Sequence, residues 1–177
     1  MLPIKVAVAD ANREKRNELE QFLQHDKQKI HVLSDKISNK NGRLCDRRLK
    51  SRKNMTFIED NIARINRLKP RVLLVSTHIL LDSDYDFLIA LHDDCHDTLV
   101  VMLIDNFTEE NKILEGLACG ARGFLNYDAD LISFSKAICA VERGEAWVPR
   151  KMLGRIMDTI LHVNHDCTIE AGLDPSC

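Results

Sequence analysis

The sequence predicts an α/β fold in which a parallel, doubly wound β-sheet is covered by helices on both faces. Short apolar runs of strand length, such as residues 72–75 and 99–104, alternate with longer segments whose apolar residues recur at helical spacing. This alternation is typical of βαβ units, whose strands are buried on both faces and are apolar throughout. The 177 residues are enough for one domain with a short appendage.

Five strands and five helices are predicted, in strict alternation. The predicted strands are 4–9, 30–33, 72–75, 99–104 and 123–126, and the predicted helices are 13–24, 56–69, 85–91, 109–119 and 131–143. Asn12 is predicted to cap the first helix, and Thr56 with Glu59 to form a capping box at the second. Gly120 and Gly144 are predicted to end the last two helices. A further amphipathic segment follows at 152–161.

Right-handed crossovers leave few possible strand orders, and the one that best fits this pattern is the flavodoxin-like order 2-1-3-4-5. In such sheets functional sites lie at the carboxyl ends of the strands. The residues predicted to lie there are Asp10, Ala11, Ser76, Thr77, Asp105, Asn106, Asn126 and Tyr127.

Two stretches carry a resemblance to a known family. Residues 115–125 read EGLACGARGFL, and residues 137–149 read AICAVERGEAWVP. Together with 4–10 and 70–75, they resemble the receiver domain of two-component response regulators, particularly of NarL/LuxR-type transcription factors. The resemblance covers roughly 4–161, apart from about 36–55, and implies a CheY-like domain.

The resemblance implies phosphoryl transfer to an aspartate. In that family, two acids after the first strand hold Mg²⁺, and an aspartate ending the third strand accepts the phosphoryl group. A hydroxyl residue after the fourth strand and a lysine after the fifth bind the phosphoryl oxygens. In this sequence the positions fall on Asp10 and Ala11, Ser76, Asp105 (Ile104 in a register one residue shorter), and Tyr127. Of these residues, Asp10 alone matches the family.

These departures predict a degenerate receiver, or pseudo-receiver, that is not an enzyme and holds no metal or cofactor. A single aspartate is a poor Mg²⁺ site, and Asp105 would repel a phosphoryl group that Tyr127, neutral near pH 7, cannot attract. Ser76 would need a general base to act as a nucleophile. His78 would lie on the same side as Ser76 only if the strand continued that far, and a Ser76–His78 nucleophile is disfavoured.

Two other groups of polar residues have ordinary structural interpretations. A slipped register could offer Asp82, Asp84 or Asp86 as the acceptor, but acids in a loop and at a helix start explain them better. A possible metal cluster is read instead as exposed residues of a turn, at the edge opposite the functional one; its members are His92, Asp93, Asp94, His96 and Asp97.

The segment at about 36–55 has a strong basic bias, although the whole chain has a formal net charge of -2. It could bind phosphates of nucleic acid or an acidic partner. A solvated insertion explains it better, because no aromatic residue is interleaved for base stacking. The residues that would bind an anion or partner are Arg43, Arg47, Arg48, Lys50, Arg52 and Lys53.

The six cysteines show neither a paired motif nor metal-ligand spacing, which favours free thiols. The chain has no apolar run long enough to span a membrane and no signal-peptide pattern. We therefore expect a cytoplasmic protein without membrane contact.

The predicted organisation is a receiver-like domain at 1–146, a linker helix at 147–162 and a disordered tail at 163–177. We expect this domain to control transcription through dimerisation or another protein interaction, independently of phosphorylation. DNA would be bound only by a helix-turn-helix domain outside these residues, and no small-molecule substrate is expected. The alternative is a stand-alone adaptor that binds a signalling kinase or enzyme. A receiver with unorthodox chemistry and a metabolic enzyme are weaker alternatives.

Overall fold

A computed structural model describes residues 2–26, 29–34 and 53–158. The strands are β1 (Ile4–Ala9), β2 (Ile30–Val32), β3 (Val72–Ser76), β4 (Leu99–Ile104) and β5 (Gly123–Asn126). The helices are α1 (Arg13–Leu23), α2 (Lys53–Leu68), α3 (Thr77–Asp82), α4 (Asp86–Asp94), α5 (Glu110–Ala118) and α6 (Leu131–Glu142). A further helix, α7, covers 150–158.

The sheet is parallel throughout and has the order β2-β1-β3-β4-β5, as predicted. Alternate strand residues face opposite helical layers. On one face, Val6, Leu74 and Leu103 belong to a core that includes Leu23 of α1 and Phe134 of α6. The other face carries apolar residues such as Ala7 and Met102, both fully buried. Burial on both faces explains the continuous apolar runs in the sequence.

The helix ends follow the local signals in most places. Asn12 caps α1, and its side chain accepts hydrogen bonds from the amides of Glu14 (2.9 Å) and Lys15 (3.2 Å). Gly144 ends α6 with a φ of +88°. Its amide bonds to the Val141 carbonyl at 2.8 Å, the arrangement that favours glycine at this position.

The predicted start of one helix is wrong, and another helix was not predicted. The helix α2 begins at Lys53, before Thr56, so the predicted capping box does not start it. No helix was predicted at α3, which begins directly after β3. A chain reversal between α3 and α4 separates the two helices, with Asp84 at a φ of +48° and Tyr85 at +63°.

A buried polar contact connects α1, α2 and β1. An Arg64 guanidinium nitrogen donates to the Val8 carbonyl at 3.1 Å, and a second lies 3.7 Å from the Glu20 carboxylate. Because β2 ends at Val32, it pairs with β1 only as far as Val6. Arg64 therefore provides the hydrogen-bond donor for the Val8 carbonyl, which lies beyond the part of β1 that pairs with β2.

The chain divides into two compact units, Met1–Trp147 and Val148–Cys177. After this boundary the described residues form α7 at 150–158, and residues 159–162 of the predicted linker helix lie outside the described part of the chain. The predicted disordered tail at 163–177 lies outside the described residues. No helix in the described part of the chain is long and apolar enough to cross a bilayer.

The first unit ends on a backbone contact at the edge of the sheet. Trp147 pairs in parallel with Gly123, and its carbonyl accepts the Phe124 amide at 3.2 Å. A Cβ atom at Gly123 would lie 2.3 Å from that carbonyl oxygen. The closeness of two backbones explains why β5 begins with glycine.

We predict that Gly123→Ala lowers the free energy of unfolding by about 1–3 kcal/mol, because the added methyl group forces the two backbones apart. The matched control is Gly154→Ala in α7, where an added Cβ meets nothing within 4 Å. Alanine there should be neutral or stabilising by about 0.5–1 kcal/mol, since it favours a helix over glycine. Urea denaturation measures both, and equal effects would contradict the prediction.

Candidate functional site

The carboxyl edge of the sheet brings together four of the five residues predicted to form the site. Asp10 follows β1, Ser76 ends β3, Asp105 follows β4, and Tyr127 follows β5. They meet because the carboxyl ends of parallel strands share one edge. Ala11 lies in the exposed turn before α1, where its methyl group offers no ligand.

Asp10 and Tyr127 are joined by a hydrogen bond across this edge. The Tyr127 hydroxyl donates to Oδ2 of Asp10, and the Asn12 amide donates to Oδ1 at 2.8 Å. Asp10 is 6% exposed, so the two donors replace water at both carboxylate oxygens. Tyr127 thus occupies the side of Asp10 to which the resemblance would assign a lysine.

Tyr127 keeps its proton because of its surroundings. Burial raises the pKa of its hydroxyl well above the usual range, and the bond to Asp10 raises that pKa further. The charges of Asp10 and Asp105 act in the same direction, while the Ser76 hydroxyl acts in the opposite one. Tyr127 is therefore a neutral donor throughout the physiological range.

A cation does lie near Tyr127, but it contacts the ring. The Lys15 ammonium of α1 is 5.2 Å from the ring centroid, a distance at which a cation is attracted to an aromatic face. The tyrosine is thereby held from two directions, through its hydroxyl by Asp10 and through its ring by Lys15.

Ser76 has a structural role at the start of α3. Its side chain is fully buried, and its hydroxyl accepts the His78 amide at 3.2 Å as the helix cap. Because β3 ends at Ser76, strand alternation does not carry His78 onto the same side. The His78 ring instead places Nε2 at 3.6 Å from the Asp105 carboxylate.

Asp105 supports the turn that follows β4. Its Oδ1 accepts hydrogen bonds from the Phe107 amide at 3.0 Å and the Thr108 hydroxyl at 2.8 Å. The Thr108 bond lowers the pKa of the Asp105 carboxyl, and the Phe107 amide and His78 lower it further. The alternative position, Ile104, is the last residue of β4 and pairs with Asn126.

The edge therefore combines carboxylates with a neutral phenol. A phosphoryl dianion placed there would face Asp10 and the anionic Asp105, and no lysine follows β5. Within 2–26, 29–34 and 53–158, no three His, Cys, Asp or Glu side chains are grouped so that they could hold a metal ion. The arrangement is suited to holding loops together.

A chain of polar contacts that the sequence analysis did not anticipate joins two loops at this edge. The Asn126 amide donates to Oδ1 of Asn106 at 2.7 Å, and the Asn106 amide donates to Asp128 at 3.4 Å. The one sequence signal was the placement of both asparagines at predicted strand ends. Asp128 also lines a cleft of about 470 Å³ between α1 and the loop before α6.

The remaining candidates lie elsewhere. In the basic segment, Arg43, Arg47, Arg48, Lys50 and Arg52 are outside the described residues, and Lys53 begins α2. Of the three acids considered as alternative acceptors, Asp82 ends α3, Asp84 lies in the turn, and Asp86 begins α4. The residues His92, Asp93, Asp94, His96 and Asp97 lie at the end of α4 and in the turn after it.

The described cysteines carry free thiols. Cys95 is buried, and Cys119 and Cys139 are partly buried. Burial raises the pKa of the Cys95 thiol, which donates to Asn66 at 3.2 Å. Cys45, Cys167 and Cys177 lie outside the described residues.

No family model matches this chain, and no curated protein matches it in sequence. Solved structures do match its fold. The signal receiver domain of the response regulator NarL from Mycobacterium tuberculosis has a TM-score of 0.59 and 18% identity, covering 82% of this chain and 100% of its own. The receiver domain of a LuxO repressor protein from Vibrio parahaemolyticus has a TM-score of 0.55 and 13% identity, covering 80% and 92%.

A response regulator receiver protein from Burkholderia phymatum gives a similar result, with a TM-score of 0.52, 15% identity and coverage of 81% and 97%. At these identities the likeness concerns the fold. This chain therefore has the fold of response regulator receiver domains, as the resemblance implied.

Proposed function

We propose that this chain is a pseudo-receiver, a regulatory domain that acts by binding protein without accepting a phosphoryl group. The observation that carries the proposal is the hydrogen bond from Tyr127 to Asp10. It engages the one acid that matches the family's metal-binding pair, at the place where a phosphoryl group would need a cation. In this proposal the carboxyl edge takes part in binding and does not take part in phosphoryl transfer.

The proposed setting is a response regulator that controls transcription in the cytoplasm, with protein interaction or dimerisation in place of the phosphorylation signal. The free thiols of Cys95, Cys119 and Cys139 fit a reducing compartment. In this proposal DNA is bound by a helix-turn-helix domain outside these residues, and the receiver-like domain at 1–146 is joined to it by a linker at 147–162.

A stand-alone adaptor for a signalling kinase or enzyme is the alternative. It would use the same non-phosphorylated edge but would not be linked to DNA binding. Cross-linking and mass spectrometry of the protein in its own cells separates the two, because a promoter-bound complex supports the first and a kinase complex without DNA supports the second.

We predict that Mg²⁺ with beryllofluoride, a phosphoryl mimic, leaves the amide NMR spectrum of the chain unchanged. Asp105 repels the anion and Ser76 cannot coordinate beryllium as an aspartate does. The control is a chain in which the family's residues are restored through Ala11→Asp, Ser76→Asp, Asp105→Thr and Tyr127→Lys. It should show shifts at the strand ends. Saturable shifts around Asp10 and Ser76 in the unaltered chain would refute the proposal.

We predict that Tyr127→Phe destabilises the fold by about 1.5–3 kcal/mol, because it removes a hydrogen bond to a carboxylate with little access to water. Tyr85→Phe is the matched control. Its hydroxyl donates at 2.7 Å to the Lys112 carbonyl, and the carboxylate beside it, that of Glu115, is 47% exposed. Because water can replace the lost donor at that carboxylate, the loss should cost only about 0.5–1.5 kcal/mol. Urea denaturation compares the variants, and an equal or smaller loss at Tyr127 would show that the bond to Asp10 contributes little.

We predict that neither tyrosine of the folded chain ionises near pH 10, where an unperturbed tyrosine does. Burial raises the pKa of Tyr85 to about 12, and the pKa of Tyr127 is also raised. Since the folded state retains protons that the unfolded chain releases, stability is full below about pH 10 and falls as the pH rises through the folded pKa values. Tyrosinate absorbance, followed with and without urea, measures this. Ionisation of one tyrosine near pH 10 in the folded chain would contradict it.

A further inference from the structure

The helix α7 carries large apolar side chains that are exposed. Leu153 is 44% exposed and Met157 is 59% exposed, and their spacing of four residues places them on one side of the helix. Gly154 is exposed on the same side, and a Cβ atom added to it would meet nothing within 4 Å. Because the side chains at a contact set the distance between two helices, another helix could approach α7 closely at Gly154.

Charges of opposite sign lie at equal distances on either side of this glycine. Arg150 precedes Gly154 by four residues and Asp158 follows it by four, and both are exposed. Residues four apart lie one above the other on a helix, so these three residues form a single row beside Leu153 and Met157. The row is basic at one end, small in the middle and acidic at the other end.

The start of α7 carries charges that the helix by itself does not favour. Arg150 and Lys151 lie in its first turn, and residues 150–153 include no acid. The positive end of the helix dipole lies at this turn, where it repels cations and attracts anions. A carboxylate from another molecule would therefore be favourable there, beside both the dipole and the two cations.

We propose that α7 pairs with α7 of a second copy of this chain, in an antiparallel, two-fold arrangement centred on Gly154. The symmetry places Arg150 of each copy opposite Asp158 of the other, which brings a carboxylate to the first turn of both helices. Leu153 of each copy then packs against the Leu153 and Met157 side chains of the other. A parallel pair would place like charges opposite one another, so charge selects the antiparallel one.

This arrangement uses the same patch on both copies, so the interface is self-complementary and closed. Two apolar side chains from each copy make a small interface, for which we expect reversible association. The dimer rests on the proposed function, for which it supplies the protein interaction.

A charge exchange tests the orientation of the two helices, with sedimentation velocity of the full 177-residue chain over a concentration series as the measurement. Arg150→Asp and Asp158→Arg should each weaken association about three- to tenfold, because each variant creates two repulsive pairs in the two-fold interface. The double variant should restore association, because the two charges only exchange places. Failure of the double variant to do so overturns the antiparallel arrangement.

Removal of an apolar contact tests the face that the two copies share. Leu153→Ala should weaken association about tenfold, because the side chain of each copy packs across the two-fold axis. The matched control is Ile89→Ala in α4, which removes an aliphatic side chain that is 51% exposed. It should leave the dissociation constant unchanged, and circular dichroism confirms that each variant is folded.

A dimer that Leu153→Ala leaves intact, or that Ile89→Ala weakens equally, overturns the proposal. A purified chain that stays monomeric at all concentrations does so as well, and is the result expected if α7 binds a different protein. These outcomes are independent of the pseudo-receiver assignment, because that assignment fails only if the chain binds the phosphoryl mimic.

Discussion

The hydrogen bond from the Tyr127 hydroxyl to the Asp10 carboxylate determines the character of the carboxyl edge. It ties the loop after β5 to the end of β1 and leaves the carboxylate with donors on both oxygens. Because burial and neighbouring carboxylates keep the tyrosine protonated, the contact persists over the whole physiological pH range. A ligand that bound to the Asp10 carboxylate at this edge would have to break its hydrogen bond with Tyr127.

The other polar residues at this edge have local structural roles. Ser76 caps α3, and Asp105 organises the turn that presents Phe107. In a domain that transfers phosphoryl groups, these positions would bind the reacting atoms. In this chain they accept hydrogen bonds from backbone amides, Ser76 from His78 and Asp105 from Phe107.

The sheet topology could be predicted from the sequence because the central strands β1, β3 and β4 are buried on both faces. Apolar runs are then required, and they mark these three strands with little error. Helix boundaries were less predictable. The helix α3 was missed because its sequence, THILLD, is short and lacks two turns of helical periodicity. Its start depends on Ser76 as a cap, which strand patterns do not reveal.

The sequence by itself determined which residue types stand at the strand ends: a serine ends β3, an alanine follows Asp10, and a tyrosine follows β5. It could do so because strand position fixes the edge at which a residue lies. Only the tertiary structure decided how those residues are used. The bond from Tyr127 to Asp10 and the cation of Lys15 over the ring join segments far apart in the chain, and such contacts depend on side-chain directions that local sequence patterns do not encode.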